Sequence, residues 1–448
     1  MKAKNEIILF EYDCLVNERE LGGKRVPSSI HVVTDRAYQY LKQLCLSEES
    51  ERNLLQLRRR CGLEVLQVQN YAGVIFTPDR TQIEVLPKLG KSFKDDDDDD
   101  GRLNAHEKAR QSLLIMLKSL KGFAHVQTSN ANIDKQKMPL LEVFISQFLQ
   151  SVNDLVKRGL RSDYVRREDN LSYLKGKLNI GKQLRHNAVN KHHFYCEYDE
   201  FQLDRPANRL IHAALKKAKS LTQSANNQKL LQELEFVFHE VPESYDPKLD
   251  FAKLNLNRGM IYYQASLDWC KLILEGFSPQ TMKGSNYAAS LLFPMEKVFE
   301  DYVAKHLKSK LTSSHPLLNV ITQAKGRFLA SYDGMNKFSL RPDLLITEGK
   351  QNRMVLDTKW KLLDVSLTNA NVSQSDVYQL FAYAKKYLPG ERGDVVLVYP
   401  SQDSFDQPLP HSFDLGEQHK LWVVPFVIGR PGEARFVVPD ELELLRSK

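Results

Sequence analysis

The apolar positions of this chain switch between strand and helix periods, and the switches mark out its elements. Residues 6–13 form an apolar run of strand length, Glu6-Ile7-Ile8-Leu9-Phe10-Glu11-Tyr12-Asp13. Thr34 is placed to cap a helix carrying Tyr38, Leu41 and Leu44, and a second helix is expected across 50–60. Strands are expected at 63–69, 74–76 and 82–86, the last stopped by Pro87 and Gly90, so that 1–94 reads as a small α+β module. Helical spacing governs 104–120 and 139–160, where Leu141, Phe144, Ile145, Phe148, Leu149, Val152 and Leu155 share one face of a helical region, 103–160. Residues 161–205 are short strand-like segments around a basic, polar middle: a β-rich arm. Helices at 206–221, 228–238 and 258–274 make a connector, 206–284. The rest, 285–448, opens with a helix at 288–311 whose stripe is Leu292, Met295, Phe299, Tyr302, Val303 and Leu307. Strands at 327–331, 337–347 and 353–360 follow. A helix at 373–388, ended by Pro389-Gly390, then leads to a buried strand at 394–400. A strand at 420–428 and the acidic segment 439–445 are expected to complete the sheet edge. The expected fold class is multidomain, combining α/β and α+β parts.

Composition narrows the picture. The 448 residues allow two or three domains, and 42% hydrophobic with 27% charged residues is a globular balance. The net charge of +7 is compatible with a nucleic-acid partner, and its distribution says more than its sum. Basic residues concentrate in 157–192, whereas Asp95 to Asp100 form an acidic run read as a solvated loop, 95–102. Five scattered cysteines without CxxC spacing argue against zinc, iron–sulfur or disulfide frameworks and for a reducing cytoplasm. No run reaches the roughly 18–20 apolar residues of a membrane span. The first residues lead into a strand and not into a secretory h-region. Gly90-Lys91-Ser92 does not complete a P-loop, because Val85 stands where the first glycine is needed. No nucleotide is therefore expected on this chain, and any GTP or ATP hydrolysis falls to a partner.

The chemistry concentrates in one predicted hairpin, Leu340-Arg341-Pro342-Asp343-Leu344-Leu345-Ile346-Thr347, a break at Glu348–Asn352, then Arg353-Met354-Val355-Leu356-Asp357-Thr358-Lys359-Trp360. A register centred on Lys350 sets Asp343 opposite Asp357, within about 4.5–5.5 Å between Cβ atoms. Lys359 then projects on the same face as Asp357. Two acids and a lysine in apolar strands are costly unless compensated, and Mg²⁺ (or Mn²⁺) would compensate them. The other reading is a surface hairpin with an ordinary ion pair. Glu300 lies beside the helix stripe and can lean toward this site. Gln379 and Tyr383, one turn apart on the following helix, can position a reacting water, or simply pack.

Pro342-Asp343, a gap and Asp357-Thr358-Lys359 resemble the PD-(D/E)xK nuclease signature, and the expected order helix, three strands, helix, strand is similar to that superfamily's core. Arg166-Arg167-Glu168, Leu174-Lys175-Gly176-Lys177-Leu178, Tyr198-Asp199-Glu200-Phe201-Gln202-Leu203-Asp204 and Asn208-Arg209-Leu210 resemble the middle region of the McrC family, the nuclease subunits of McrBC modification-dependent restriction systems. Val85-Leu86-Pro87-Lys88-Leu89-Gly90 is similar to an N-terminal motif of that family. The hexa-aspartate run has no counterpart there. The resemblance implies a Mg²⁺-dependent DNA endonuclease for antiphage defence, with Asp343, Asp357 and the Thr358 carbonyl as metal ligands and Lys359 catalytic. Glu300 and Gln379 would be accessory. It also implies a hexameric McrB-like AAA+ GTPase partner and double-stranded DNA carrying modified bases such as 5-methylcytosine. The arm, with Arg166, Arg167, Lys175, Lys177, Lys182 and Arg185, would enter the partner's pore or contact DNA. Two rival readings stay open: a stand-alone repair or recombination nuclease, and an inert GTPase-activating subunit.

Overall fold

Tight turns lay down the N-terminal strands. The computed structural model describes residues 6–446 apart from 23–24, 47–53, 80, 93–103, 121–137, 255, 257, 276–290, 391–392, 417 and 431. The run Asp95–Asp100 and the first part of the expected helix at 50–60 lie outside the described residues. The chain forms two units, residues 1–140 with 277–448, and residues 141–276. Among the described residues no helix is long and apolar enough to cross a membrane, and all five cysteines are free thiols.

In the first unit, β1 (Glu6–Phe10), β2 (Cys14–Asn17) and β3 (Ile30–Val33) precede α1 (Asp35–Leu46). Thr34 caps that helix as expected, its Oγ1 accepting the Ala37 amide at 3.1 Å. Then come β4 (Leu55–Arg60), β5 (Leu63–Val68), β6 (Tyr71–Phe76) and β7 (Gln82–Leu86). β4 corrects the helix expected at 50–60. Cys61 and Gly62 both take positive φ (52° and 75°), the two-residue turn that folds β4 back on β5 with Arg60 opposite Leu63. The strands form two sheets, β3-β2-β5-β4 and β1-β7-β6, the latter extended by residues 291–294. Gly73 makes that extension possible: at φ 139° a Cβ there would lie 1.9 Å from the Leu291 carbonyl oxygen. The helix α2 (Ala105–Leu117) begins with a capping box between Asn104 and Glu107. Its buried Arg110 makes a bidentate pair with Glu84 of β7 at 2.7 and 3.0 Å. Gly90-Lys91-Ser92 is packed into a short turn, where Lys91 reaches Asp13 and the Glu11 carbonyl, both at 2.8 Å.

The second unit holds α3 (Leu140–Arg158), β8 (Asp163–Leu171), β9 (Lys177–Leu178), α4 (Ile180–His186), β10 (Phe194–Gln202), α5 (Pro206–Leu221), α6 (Ala225–Val237), α7 (Pro247–Ala252) and α8 (Gln264–Glu275). The Glu142 carboxylate of α3 accepts from Thr222, the Gln223 and Ser224 amides and Asn227, closing the entry to α6. The arm is a three-stranded sheet, β8-β10-β9. It also contains α4, a helix where only strands and polar loop were expected; Asn179 caps it through the Lys182 amide at 3.1 Å.

Returning to the first unit, β11 (Leu291–Pro294) joins β6 and runs straight into α9 (Met295–Ser314), so the expected helix at 288–311 starts later. Then follow β12 (Leu318–Thr322), β13 (Arg327–Tyr332), β14 (Met335–Leu340), β15 (Leu344–Glu348), β16 (Gln351–Thr358), α10 (Gln374–Tyr387), β17 (Asp394–Pro400), β18 (Phe413–Asp414), β19 (Lys420–Val427) and β20 (Arg435–Phe436). The main sheet runs β12-β15-β16-β17-β19-β18, with β20 beside β19. Its first three strands are antiparallel, and α10 carries the chain across to the parallel β17. The expected strand trio needs correction. Residues 337–347 split at Arg341–Asp343 into β14 and β15, and β12 takes the sheet position expected for 327–331. Among the described residues, β13 and β14 pair only with each other, and almost all of their positions stand exposed. The segment 439–445 ends in a short 3-10 turn, Glu443–Leu445, and not at a sheet edge. The core beneath α10 is built from Val355, Leu380, Tyr383, Ala384, Val395, Leu397 and Tyr399.

Candidate active site

The hairpin β15–β16 closes at Gly349-Lys350, where Gly349 takes φ 59°. From that turn Glu348 pairs with Gln351 and Thr347 with Asn352. Continued unchanged, this register would bring Asp343 against Leu356, on the wrong face. A bulge between the Ile346 and Thr347 pairs inserts Arg353, after which Ile346 meets Met354 and Leu344 meets Leu356. One further step sets Asp343 opposite Asp357. The expected opposition of the two acids therefore holds, and the bulge is its cause.

Asp343 is held from three sides. Its Oδ2 accepts the Thr358 amide and hydroxyl at 2.8 and 2.7 Å, and its Oδ1 accepts the Gln323 side-chain amide at 3.0 Å. Asp357, only 2% exposed, pairs through Oδ2 with Lys359 Nζ at 2.7 Å. Burial and the neighbouring Asp343 charge push the Asp357 carboxyl up to about 7, outweighing the pull of Lys359. Burial works against the Lys359 ammonium, yet Asp357, Asp376 and Asp343 together hold its pKa above the ordinary lysine range. Lys359 Nζ also donates to Gln379 Oε1 at 2.9 Å. The Gln379 amide in turn donates to the Tyr383 hydroxyl at 2.8 Å, and that hydroxyl donates to the Arg341 carbonyl at 3.0 Å.

Glu300 on α9 does lean into this group. Its Oε1 accepts from Gln323 at 2.8 Å and from Lys297 at 2.9 Å. Burial and Asp343 raise its pKa, with Lys297 and Gln323 opposing. The structure thus gathers Asp343, Asp357, Thr358, Lys359, Glu300, Gln379 and Tyr383 in one place. It adds two residues that sequence reading missed. Asp376 is buried, 3.9 Å from Lys359 Nζ, and takes Lys361 at 2.7 Å. Its position one turn before Gln379 was a legible signal. Gln323 had no such signal, since only the fold brings it to Glu300 and Asp343.

The carboxylate donors are all oxygen, as a hard cation requires, and Asp343 is the acid of the group that pairs with no lysine within 4 Å among the described residues, whereas Lys297, Lys359 and Lys361 pair with Glu300, Asp357 and Asp376. Among the described residues no group of three or more His, Cys, Asp or Glu is gathered tightly enough to cage an ion. Two carboxylates, with the remaining ligands left to water and phosphate oxygens, would suit Mg²⁺ better than a closed cage would. Behind the site, Trp360 is anchored to the N-terminal sheet. Its indole donates to both Glu11 carboxylate oxygens (3.1 and 3.0 Å), while its carbonyl accepts Lys88 Nζ at 2.5 Å. Burial raises the Glu11 pKa against the pull of Lys88. Trp360 also packs on Phe299, next to Glu300, at 5.4 Å between ring centroids. The Val85–Gly90 motif thereby buttresses the strand end that carries Lys359.

The arm candidates lie elsewhere, in the second unit. Arg166 pairs with Glu197, Lys182 with Glu168, and Lys175 sits 3.9 Å over the Tyr198 ring. Arg185 is exposed on α4, and Arg167 and Lys177 lie exposed on β8 and β9.

The sequence model of the family described as "McrBC 5-methylcytosine restriction system component" matches residues 66–400. The chain belongs to that family. It is 22% identical over 279 residues to the type IV methyl-directed restriction enzyme EcoKMcrBC of Escherichia coli K12, covering 59% of this chain and 78% of that protein. Its fold matches a chain in the refined half-complex from a tetradecameric assembly of Thermococcus gammatolerans McrB AAA+ hexamers with bound McrC. The TM-score is 0.66 at 20% identity, with 94% of each chain covered. The mixed α/β architecture and its several sheets are therefore the family's own.

Proposed function

We propose that this chain is the McrC-like subunit of a GTP-dependent, modification-dependent restriction system, and that it carries the system's Mg²⁺-dependent DNA endonuclease site. The observation that carries the reading is the Asp343–Asp357 opposition, with Lys359 on the same face and Glu300 and Gln323 closing the group. The order α9, β12, β15, β16, α10, β17 around it supports a PD-(D/E)xK core. Asp343 and Asp357, with the Thr358 carbonyl, would hold Mg²⁺; when bound, the ion polarises the scissile phosphate and lowers the pKa of the attacking water. Lys359, kept charged by its acidic neighbours, offsets negative charge as it builds on the phosphate. Gln379 holds the Lys359 ammonium in place and Thr358 holds Asp343. Trp360, locked to Glu11 and Lys88, restricts where Lys359 can go.

The arm supports the second half of the reading, docking on a McrB-like AAA+ GTPase hexamer and stimulating its GTP turnover. Tyr173, Leu174, Ile180, Leu184 and Val189 are exposed among its basic residues, Val189 by 91%. Such a surface is more apolar than a solvated arm needs and suits a partner's cavity. The test is cleavage of methylated duplex DNA by the purified chain, with and without Mg²⁺, GTP and the partner. Cleavage requiring all three is expected. Cleavage without GTP and partner would favour a stand-alone nuclease, and GTPase stimulation without any cleavage would favour an inert activating subunit.

A further inference from the structure

The ribbon β13–β14 is an insertion between two residues of the site. It leaves the core just after Gln323, which touches both Glu300 and Asp343, and re-enters just before Asp343. Its base is clamped. The Gln323 amide donates to the Asp343 carbonyl at 2.8 Å, and the Tyr387 hydroxyl of α10 reaches the Ala324 and Leu340 carbonyls at 3.1 and 3.0 Å. Beyond the base the two six-residue strands stand in solvent on both faces. At about 3.4 Å per residue they extend about 20 Å from the site.

A two-stranded hairpin standing largely in solvent is marginal in water, and this one packs against α10 at its root. This one nevertheless exposes Tyr332 (75%), Met335 (55%), Phe338 (73%) and Leu329 (48%). Phe338 sits at φ 58°, a conformation that bulky side chains rarely adopt, and the ladder skips its pairing with Leu329. From Lys325 to Arg341 the charges are Lys325, Arg327, Lys337 and Arg341 against Asp333 alone. The ribbon is thus cationic, apolar at its tip and rigidly rooted at the proposed metal ligand.

Resting on the nuclease reading above, we infer that the β13–β14 ribbon is a DNA-gripping element that enters the major groove of the duplex beside the scissile phosphate. A two-stranded ribbon fits the major groove, which is about 12 Å wide. Lys325, Arg327 and Arg341 near the base are placed for the phosphates flanking the cut. Lys337, Tyr332 and Phe338 are placed for the groove and its walls. The common root fixes the spacing between the groove contact and the cleavage site, so binding sets where the backbone meets Asp343 and Asp357.

The test uses the full chain and a fluorescent DNA duplex without Mg²⁺, so that binding is read independently of cleavage. Tyr332→Ala/Lys337→Ala is expected to weaken binding about tenfold or more and to make the salt dependence shallower by about one phosphate contact. The thermal midpoint should stay put, since both side chains are exposed. An A-form RNA duplex of equal length should compete poorly, because its major groove is too deep and narrow for side chains to read. With Mg²⁺ and partner added, cleavage should fall more at limiting than at saturating DNA. Wild-type affinity and salt slope in the variant would overturn the inference, as would equal competition by RNA. So would loss of self-association in place of loss of DNA binding, which would make the ribbon an interface between copies. Ribbon-dependent DNA binding with no cleavage under any condition would instead overturn the nuclease reading and leave the ribbon's role standing.

Discussion

The candidate site and the arm are both rich in charge, yet they use it in opposite ways. At the site, the buried Asp357 and Glu300 lie beside the half-buried Asp343, so each charge is felt by its neighbours and pKa values move. On the arm, Arg166–Glu197 and Lys182–Glu168 are solvent-exposed pairs that salt can screen. On the proposed reading, the site's set acts on something that enters it. On the same reading, the exposed set meets a partner's surface.

The sharpest way to break this comparison is to delete one of the site's paired acids. Asp357→Ala or Asp343→Ala should lower cleavage by about 10³-fold or more, because each would remove a metal ligand. Partner binding and GTPase stimulation should persist; cleavage retained at ordinary Mg²⁺ in both variants would remove the site assignment. Lys359→Ala comes next, slowing single-turnover cleavage by about 10²–10³-fold while weakening DNA binding much less, since its charge matters most where negative charge builds. Equal losses in both would reduce it to a phosphate contact.

Trp360→Phe should cost about 1–3 kcal/mol in denaturant unfolding, because it leaves the buried Glu11 carboxylate short of its indole donor. Cleavage should fall with it, as the strand end carrying Lys359 loosens; unchanged stability would mean that the Glu11–Trp360 contact is immaterial. On the arm, neutralising Lys175, Lys177, Lys182 and Arg185 together should weaken GTPase stimulation several-fold and leave the core's thermal midpoint intact. The wild-type effect should itself fade as salt rises, the Debye length shrinking from about 10 Å at 0.1 M to about 3 Å at 1 M. A variant that stimulates normally but loses DNA would make the arm a DNA grip. The smallest effect concerns pH. A carboxyl raised to about 7 keeps its proton below that pH, and in the metal-free protein it contributes less stability as pH rises from its unfolded value toward 7. If Asp357 is a metal ligand as proposed, Mg²⁺ would displace that proton, so its affinity, followed calorimetrically, should strengthen from about pH 6 to about pH 7 and then level off. A flat profile would show that Asp357 is already ionised.

The acids were more legible in the sequence than the strands around them. Asp343, Asp357 and Lys359 were legible because polar residues inside apolar strands are costly and therefore conspicuous. Asp376 was legible in principle, one turn from Gln379, but a single acid on an amphipathic helix looks solvated until the fold buries it. The segment 327–331 has strand-forming residues that predict a place in the sheet; local pattern cannot distinguish a sheet strand from a free ribbon. The helix expected at 50–60 failed for a related reason, since the turn at Cys61-Gly62 determines that Leu55–Arg60 pairs with β5.

By itself, the sequence determined the periodic elements, the two-carboxylate and lysine constellation, the basic arm and the family resemblance, because each rests on residues close together in the chain. Only the tertiary structure decided which groups meet. The bulge at Arg353 puts Asp343 and Asp357 on one face, Gln323 ties Asp343 to Glu300, and Glu11 holds Trp360 across 349 residues of chain. Contacts at such separations follow from sheet register and packing of the whole core, and short-range hydrophobic pattern carries no record of them.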